Sequence, residues 1–249
     1  MTMMDRTQPM PLYAQLERAL LSHIDQGGLQ PGDRLPTEAE IAVMYSVSRA
    51  TIRQALMRLV KDGHVERVQG LGSFVARPRP THKPLLTSFT QNMRAQGFRP
   101  LRRVLRSETV PTPDDQASVF GSQTLECQYL CRLLLADDRP VGISETWLPR
   151  EALGGRLDLF NPAALESGSL YDLLQGPEIG LRLHRGTETI RGGRASEEEA
   201  SLLESPPNSP TLIVRRVTYT QSDRPIESTV MTFAADRYEY RVDLFPPAR

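Results

Sequence analysis

Leu12, Leu16, Leu20 and Ile24 recur at four-residue spacing with Ala19 beside them, and this apolar stripe predicts a first helix from about Pro11 to Gln26. Gly27-Gly28 closes it, and Leu29-Gln30-Pro31-Gly32-Asp33 reads as a turn. Pro36 then precedes Thr37-Glu38-Ala39-Glu40, a capping box in which the Thr hydroxyl takes the third helical amide and Glu40 reaches back. Ile41, Ala42, Met44 and Tyr45 supply the expected packing face of this second helix. Only Ser46 and Val47 separate it from Ser48, the next N-cap. A third helix, from Arg49 to about Lys61, sets Ile52, Ala55, Leu56, Leu59 and Val60 on a buried stripe and leaves Arg49, Ala50, Thr51 and Arg53 off it. Gly63 stops it, and the pattern turns to β from Val65 to Val75, reversing at residues 69–72.

Two helices joined by a tight turn and followed by a hairpin have the shape of a winged helix-turn-helix, which puts its recognition helix into the major groove of DNA. Beyond it, residues 76–87 hold three prolines and read as an extended linker. The boundaries expected are 1–76 for the DNA-binding domain, 77–87 for the linker and 88–249 for a second domain. The second domain reads as α+β and largely antiparallel, with strands at 101–110, 125–135, 140–148, 181–191, 211–220 and 225–233. Short helices are expected at 88–96, 113–120, 169–174 and 196–203. Arg132-Leu-Leu-Leu-Ala-Asp-Asp-Arg-Pro-Val is loosely echoed by Arg216-Val-Thr-Tyr-Thr-Gln-Ser-Asp-Arg-Pro-Ile, so two similar hairpins in a pseudo-symmetric sheet are expected.

Composition narrows the class. The 249 residues are 39% hydrophobic and 24% charged, enough for real cores. No apolar run approaches the roughly 18 residues of a membrane span, and the start lacks a secretion signal, so a cytoplasmic protein is expected. Cys127 and Cys131 have no His at ligand spacing, so neither a metal nor another cofactor is expected. The net charge of zero hides a split. Residues 1–106 hold 16 Lys and Arg against 8 Asp and Glu, and the remainder 14 against 22, which suggests that only the N-terminal part meets a polyanion.

Pro11-Leu12-Tyr13, Gly32-Asp33-Arg34-Leu35-Pro36-Thr37-Glu38, the run Val47 to Leu56 and the run Gln69 to Val75 lie in an order and spacing that closely resembles the GntR family of bacterial transcription regulators. The second half is similar to the UTRA effector-binding domain of the branch that includes the histidine-utilisation repressor. The matching features are the Ser88-Phe89-Thr90 start, the two Asp-Arg-Pro hairpins, Ser169-Leu170-Tyr171, the Ala195-Ser196-Glu197 helix start and Asp236-Arg237-Tyr238. The resemblance implies a C-terminal chorismate-lyase-like fold. It implies a homodimer binding a palindromic double-stranded operator, and release by a small, anionic metabolite such as a sugar phosphate, a phosphonate or an organic acid.

The residues then sort by chemistry. Arg49 and Arg53 lie four apart on one helix face beside Thr51, and a guanidinium can bridge guanine O6 and N7. Ser48 and Thr51 stand where hydroxyls and helix amides hold a phosphate. Arg34 matches a basic position the family uses near the DNA backbone. Gln69, Gly70 and Gly72 form the wing tip, where the absence of Cβ permits close approach. Some relatives carry an arginine at the position of Ala39, which removes one DNA contact here. For the effector, the resemblance implies contacts at Ser88, Phe89, Arg132, Glu145, Ser169, Tyr171 and Glu227. Alternation puts Glu145 on an apolar strand face that needs a partner, with Arg132 or a ligand as the options. Leu134 stands where phosphosugar-sensing relatives can carry a second arginine. No nucleophile motif, phosphate loop or metal set is present, so an enzyme is not expected. A lyase-like pocket and a ligand-independent architectural DNA-binding protein are the rival readings.

Overall fold

A computed structural model describes the chain apart from residues 1–3, 5–8, 25–27, 69, 77–78, 83–84 and 245–249. It divides into two compact units, 1–78 and 79–249. The predicted linker therefore splits. Its stretch from Arg79 belongs to the second unit, because Thr81–His82 pairs with a strand near the C-terminus and His82 is buried. The charge split moves with it. Residues 1–78 hold 9 Lys and Arg against 8 Asp and Glu, whereas 79–106 hold 7 basic residues and no acid, so the basic excess does not mark the DNA-binding unit.

The first unit contains α1 (Leu12–His23), α2 (Glu38–Tyr45), α3 (Arg49–Lys61), β1 (Val65–Val68) and β2 (Gly72–Val75). Leu16 and Leu20 of α1 pack on Ile52, Leu56 and Leu59 of α3, with Ile41 of α2 and Val65 and Val75 of the hairpin closing the core. The Thr37 cap forms as expected: the Glu40 amide donates to Thr37 Oγ1 at 3.3 Å, and the Thr37 amide donates to Glu40 Oε2 at 2.7 Å. Ser46 takes a left-handed φ of 51° at the end of α2, and buried Val47 fills the turn to α3. Two expected core positions face outward instead. Met44 is 38% exposed and Val60 39%: α2 buries only Ile41, and α3 buries Ile52, Ala55, Leu56 and Leu59.

The second unit holds β3 (Thr81–His82), α4 (Phe89–Ala95), β4 (Pro100–Pro111), α5 (Asp114–Phe120), β5 (Glu126–Ala136) and β6 (Arg139–Pro149). These are followed by α6 (Pro162–Ser167), α7 (Leu170–Gln175), β7 (Leu183–Arg194), α8 (Glu197–Leu202), β8 (Pro210–Thr220), β9 (Pro225–Ala234) and β10 (Glu239–Tyr240). Six strands form one antiparallel sheet in the order β4-β5-β6-β9-β8-β7. The order is a repeat: β4-α5-β5-β6 and β7-α8-β8-β9 are successive β-α-β-β units meeting at β6 and β9. Arg132 stands in register with Ser144 in the first, and Arg216 with Thr229 in the second. Each hairpin turn contains an Asp in the left-handed region, Asp137 and Asp223, which Asp tolerates better than most residues.

One sheet face packs Leu133 and Ile143 under Leu202 and Leu203 at the end of α8. The other face is covered by α4, α6 and α7 through Met93, Leu165, Leu170 and Leu174. The short parallel pair β3–β10 carries a strand register that periodicity could not reveal, since two residues are too few to show alternation. Among the described residues no helix is long and apolar enough to cross a membrane.

Candidate DNA-binding surface and effector cavity

The N-terminus of α3 presents exposed side chains held by local bonds. Ser48 caps it, accepting from the Thr51 amide at 3.2 Å while its hydroxyl lies 2.9 Å from Thr51 Oγ1. Arg49 is exposed, and the Arg53 side chain is 65% exposed. Glu38 at the start of α2 accepts from Arg53 Nε at 3.2 Å and from Arg67 Nη2 at 2.8 Å, so one carboxylate holds the recognition helix and the wing in relation. Arg34 forms a bridge with Phe74, and its guanidinium lies across Gly72, where a Cβ would meet Nε at 3.2 Å. Gly72 and Gly70 have φ of 124° and 79°, conformations that other residues rarely adopt. Gln69 lies outside the described residues. The structure therefore gathers Arg34, Ser48, Arg49, Thr51, Arg53, Gly70 and Gly72 within one small unit, with the charged members exposed.

In the second unit the chemistry is buried. A narrow cavity with about 40 Å³ of room lies between the central strands and α4 and α7. That exceeds what a single water needs and suits a compact polar headgroup. Ser88, Phe89, Arg132, Tyr171 and Glu227, all expected from the sequence, line it. Ser169 stands behind them: it caps α7 and donates to Ser88 Oγ at 3.0 Å. Glu145 is corrected. Arg132 pairs with Ser144, so Glu145, one residue on, projects from the opposite face. There it accepts from Tyr129 Oη at 2.7 Å, on the side of the sheet away from Arg132.

Arg132 Nη2 donates to Ser144 Oγ at 3.3 Å and Thr146 Oγ1 at 3.2 Å, and its Nε has no acceptor among the described residues. Burial pushes this guanidinium down to about 10, opposed by Glu227 and reinforced by Arg102. Glu227 is buried, and its carboxylate accepts from Tyr171 Oη at 2.9 Å, Thr218 Oγ1 at 2.6 Å and Thr229 Oγ1 at 3.1 Å. Burial raises the Tyr171 hydroxyl well above the usual phenol range, with Glu227 adding to it, so that hydroxyl remains a donor.

Two arginines were missed. Arg102 of β4 lines the cavity, donating to Thr90 Oγ1 and to the Glu166 carbonyl. Arg216 also lines it and reaches beyond: its guanidinium donates to Tyr171 Oη at 3.2 Å and to the Thr87 carbonyl at 2.9 Å, and Nη2 meets Glu188 at 2.6 Å. Burial alone would disfavour the Arg216 cation, but Tyr171, Glu188 and Glu227 more than offset it. Burial likewise works against the Glu188 carboxylate, and His82 with Arg216 overcomes it, holding the carboxyl at about 2. His82 lies 3.2 Å from Glu188 and stacks on Tyr240 with ring centroids 4.8 Å apart, so Arg216 connects the cavity to the β3–β10 pair. The sequence signal for Arg216 was the hairpin echo, which aligns it with Arg132. Nothing marked Arg102, which sits among six other basic residues between 79 and 106.

Residues 12–75 match the bacterial regulatory proteins, gntR family, and residues 95–239 match the UTRA domain. The chain is 31% identical to the HTH-type transcriptional repressor NagR of Bacillus subtilis, over 95% of this chain and 96% of that one. It is 30% identical to the probable fructoselysine utilization operon transcriptional repressor of Escherichia coli, covering 98% of each. The crystal structure of PhnF from Mycobacterium smegmatis superposes with a TM-score of 0.67 at 30% identity, over 94% of this chain and 99% of that one. With its winged helix-turn-helix, its six-stranded sensor sheet and these full-length likenesses, the chain belongs to the GntR family of transcriptional regulators, in the group that carries a UTRA domain.

Proposed function

We propose that this ligand-responsive repressor binds a palindromic operator as a homodimer and leaves it when a small anionic metabolite occupies the cavity. The observation that carries the anionic class is Arg132: among the described residues this buried guanidinium bonds two hydroxyls, its Nε has no acceptor, and a negative group there would offset the cost of burial. On the DNA side, Arg49 and Arg53 read base edges, Ser48 and Thr51 support a phosphate, and Arg34 with Gly70 and Gly72 carries the wing.

The ligand need only favour one arrangement of the dimer over another, since equal affinity for both shifts nothing. Arg216 supports a route for that preference. It touches the cavity at Tyr171, and it holds Thr87 and, through Glu188, His82 in the segment that follows the first unit. A ligand that rearranges Arg216 acts on the chain leading to the DNA-binding unit.

Gel-shift titration with the chain's own promoter tests the reading. Arg49→Ala or Arg53→Ala should each weaken specific binding by about 1–3 kcal/mol, the worth of a bidentate base contact. Arg132→Ala should leave operator affinity intact and abolish release by metabolites. Unchanged operator affinity in both DNA-face variants rejects the assignment of the recognition helix. Normal release in Arg132→Ala rejects the cavity.

A further inference from the structure

We propose that Arg102 is the specificity-determining partner of Arg132, and that together they select an effector carrying a doubly negative headgroup over one carrying a single carboxylate. The proposal rests on the cavity reading above and adds a residue and a charge to it.

Register brings the two arginines together. Arg102 is opposite Leu134 and Val104 is opposite Arg132, so the arginines are diagonal neighbours on one face of adjacent strands. Both are more than nine-tenths buried, and both line the cavity. Neither makes an ion pair with a described residue: Arg102 is held by the Thr90 hydroxyl and the Glu166 carbonyl, Arg132 by two hydroxyls. Each keeps an Nε–H without an acceptor among the described residues.

Among the described residues no nearby acid bonds either guanidinium, although the Glu227 carboxylate favours the Arg132 cation through space. Glu188 is taken by Arg216, and both Glu227 oxygens already accept hydroxyl protons. Arg102, Arg132 and Arg216 thus outnumber Glu188 and Glu227, and the two guanidinium groups without an ion pair each keep an open Nε–H. A carboxylate brings one charge and two acceptor oxygens. A phosphate monoester or phosphonate, with about two negative charges and three acceptor oxygens near neutrality, is the better match to two guanidinium groups and can satisfy both open Nε–H groups. Leu134 leaves no other cation to do this from β5. Arg102 does it from β4, one strand over.

The test is thermal-shift titration of the full-length protein at pH 8 with inorganic phosphate and, separately, acetate, each shift converted to an affinity. The wild type should bind phosphate more tightly than acetate. Arg102→Gln keeps an amide that can hold the Thr90 and Glu166 anchors but removes the charge. It should weaken phosphate by about ten- to a hundred-fold, the loss of one charge-assisted pair, and leave acetate unchanged. Arg102→Lys keeps the charge and should retain part of the preference, which covers the case in which the glutamine variant does not fold. Undiminished phosphate affinity in Arg102→Gln overturns the proposal, as does equal loss for both anions or a lysine variant that binds both alike. In those cases the wild type still binds anions and the cavity reading survives. A wild type stabilised by neither ion overturns both.

Discussion

The Arg53 side chain in the first unit is 65% exposed, and its ion pair with Glu38 closes over 3.2 Å. The Arg216 side chain in the second unit is 7% exposed, and its pair with Glu188 closes over 2.6 Å. Both are arginine–glutamate pairs, yet their energetics differ. In water the attraction is weak and screened, so Arg53 can leave Glu38 for a base edge at little cost. In the sheet, removing one partner strands a charge away from solvent. The comparison teaches where each unit keeps its function. The residues proposed to read DNA are exposed side chains, whereas those proposed to sense the effector are built into the core.

The sharpest way to break this contrast is Arg216→Met. It should lower the unfolding free energy by about 3 kcal/mol, because the half-buried Glu188 loses its arginine and keeps only His82 and Tyr240. Urea denaturation of the C-terminal unit checks this, and a loss below 1 kcal/mol would erase the distinction. Thr37→Ala comes next, at about 1 kcal/mol, because it removes the cap of α2 together with the hydroxyl bond to Glu40. Its effect belongs to the first unit and should appear in the transition of residues 1–78, not in that of the sheet.

Acid titration separates the units further. The Glu188 carboxyl is held at about 2, below its unfolded value, by His82 and Arg216. A depressed carboxylate contributes stability that is fully present above the unfolded pKa and lost as pH falls through the folded one. The advantage of the wild type over Glu188→Gln should therefore be constant above pH 5 and disappear between about pH 4.5 and 2, as read by denaturation at stepped pH. Smallest of all, Arg49→Ala and Arg53→Ala should change stability by no more than about 0.5 kcal/mol while each still weakening specific operator binding by about 1–3 kcal/mol. A large stability loss there would mean that the recognition face is structural.

Much of the first unit was legible from residues alone. Its capping box, its two-residue turn and the stripe on α3 are contacts between residues a few positions apart, so their chemistry appears as local spacing. The six strands and four of the short helices of the second unit were also readable from period and punctuation. The helix Pro162–Ser167 was not read, although Asn161 caps it and Pro162 stands in its first turn. Glu145 shows the limit for the cavity. Alternation set it on an apolar strand face, but which face would hold the cavity depended on the partner strand.

The sequence by itself determined the kind of protein and the candidates for reading DNA, which lie in local motifs, and its resemblance to the UTRA domain pointed to Arg132, Tyr171 and Glu227, which line the cavity. Only the tertiary structure decided that Arg102 and Arg216 join them, that Glu145 does not, and that Thr81–His82 belongs to the sensor unit. The physical reason is sequence separation. Arg102 reaches its place through a register with Leu134, and Arg216 through contacts with Thr87 and Tyr171, so their neighbours are set by strand pairing and packing across the sheet.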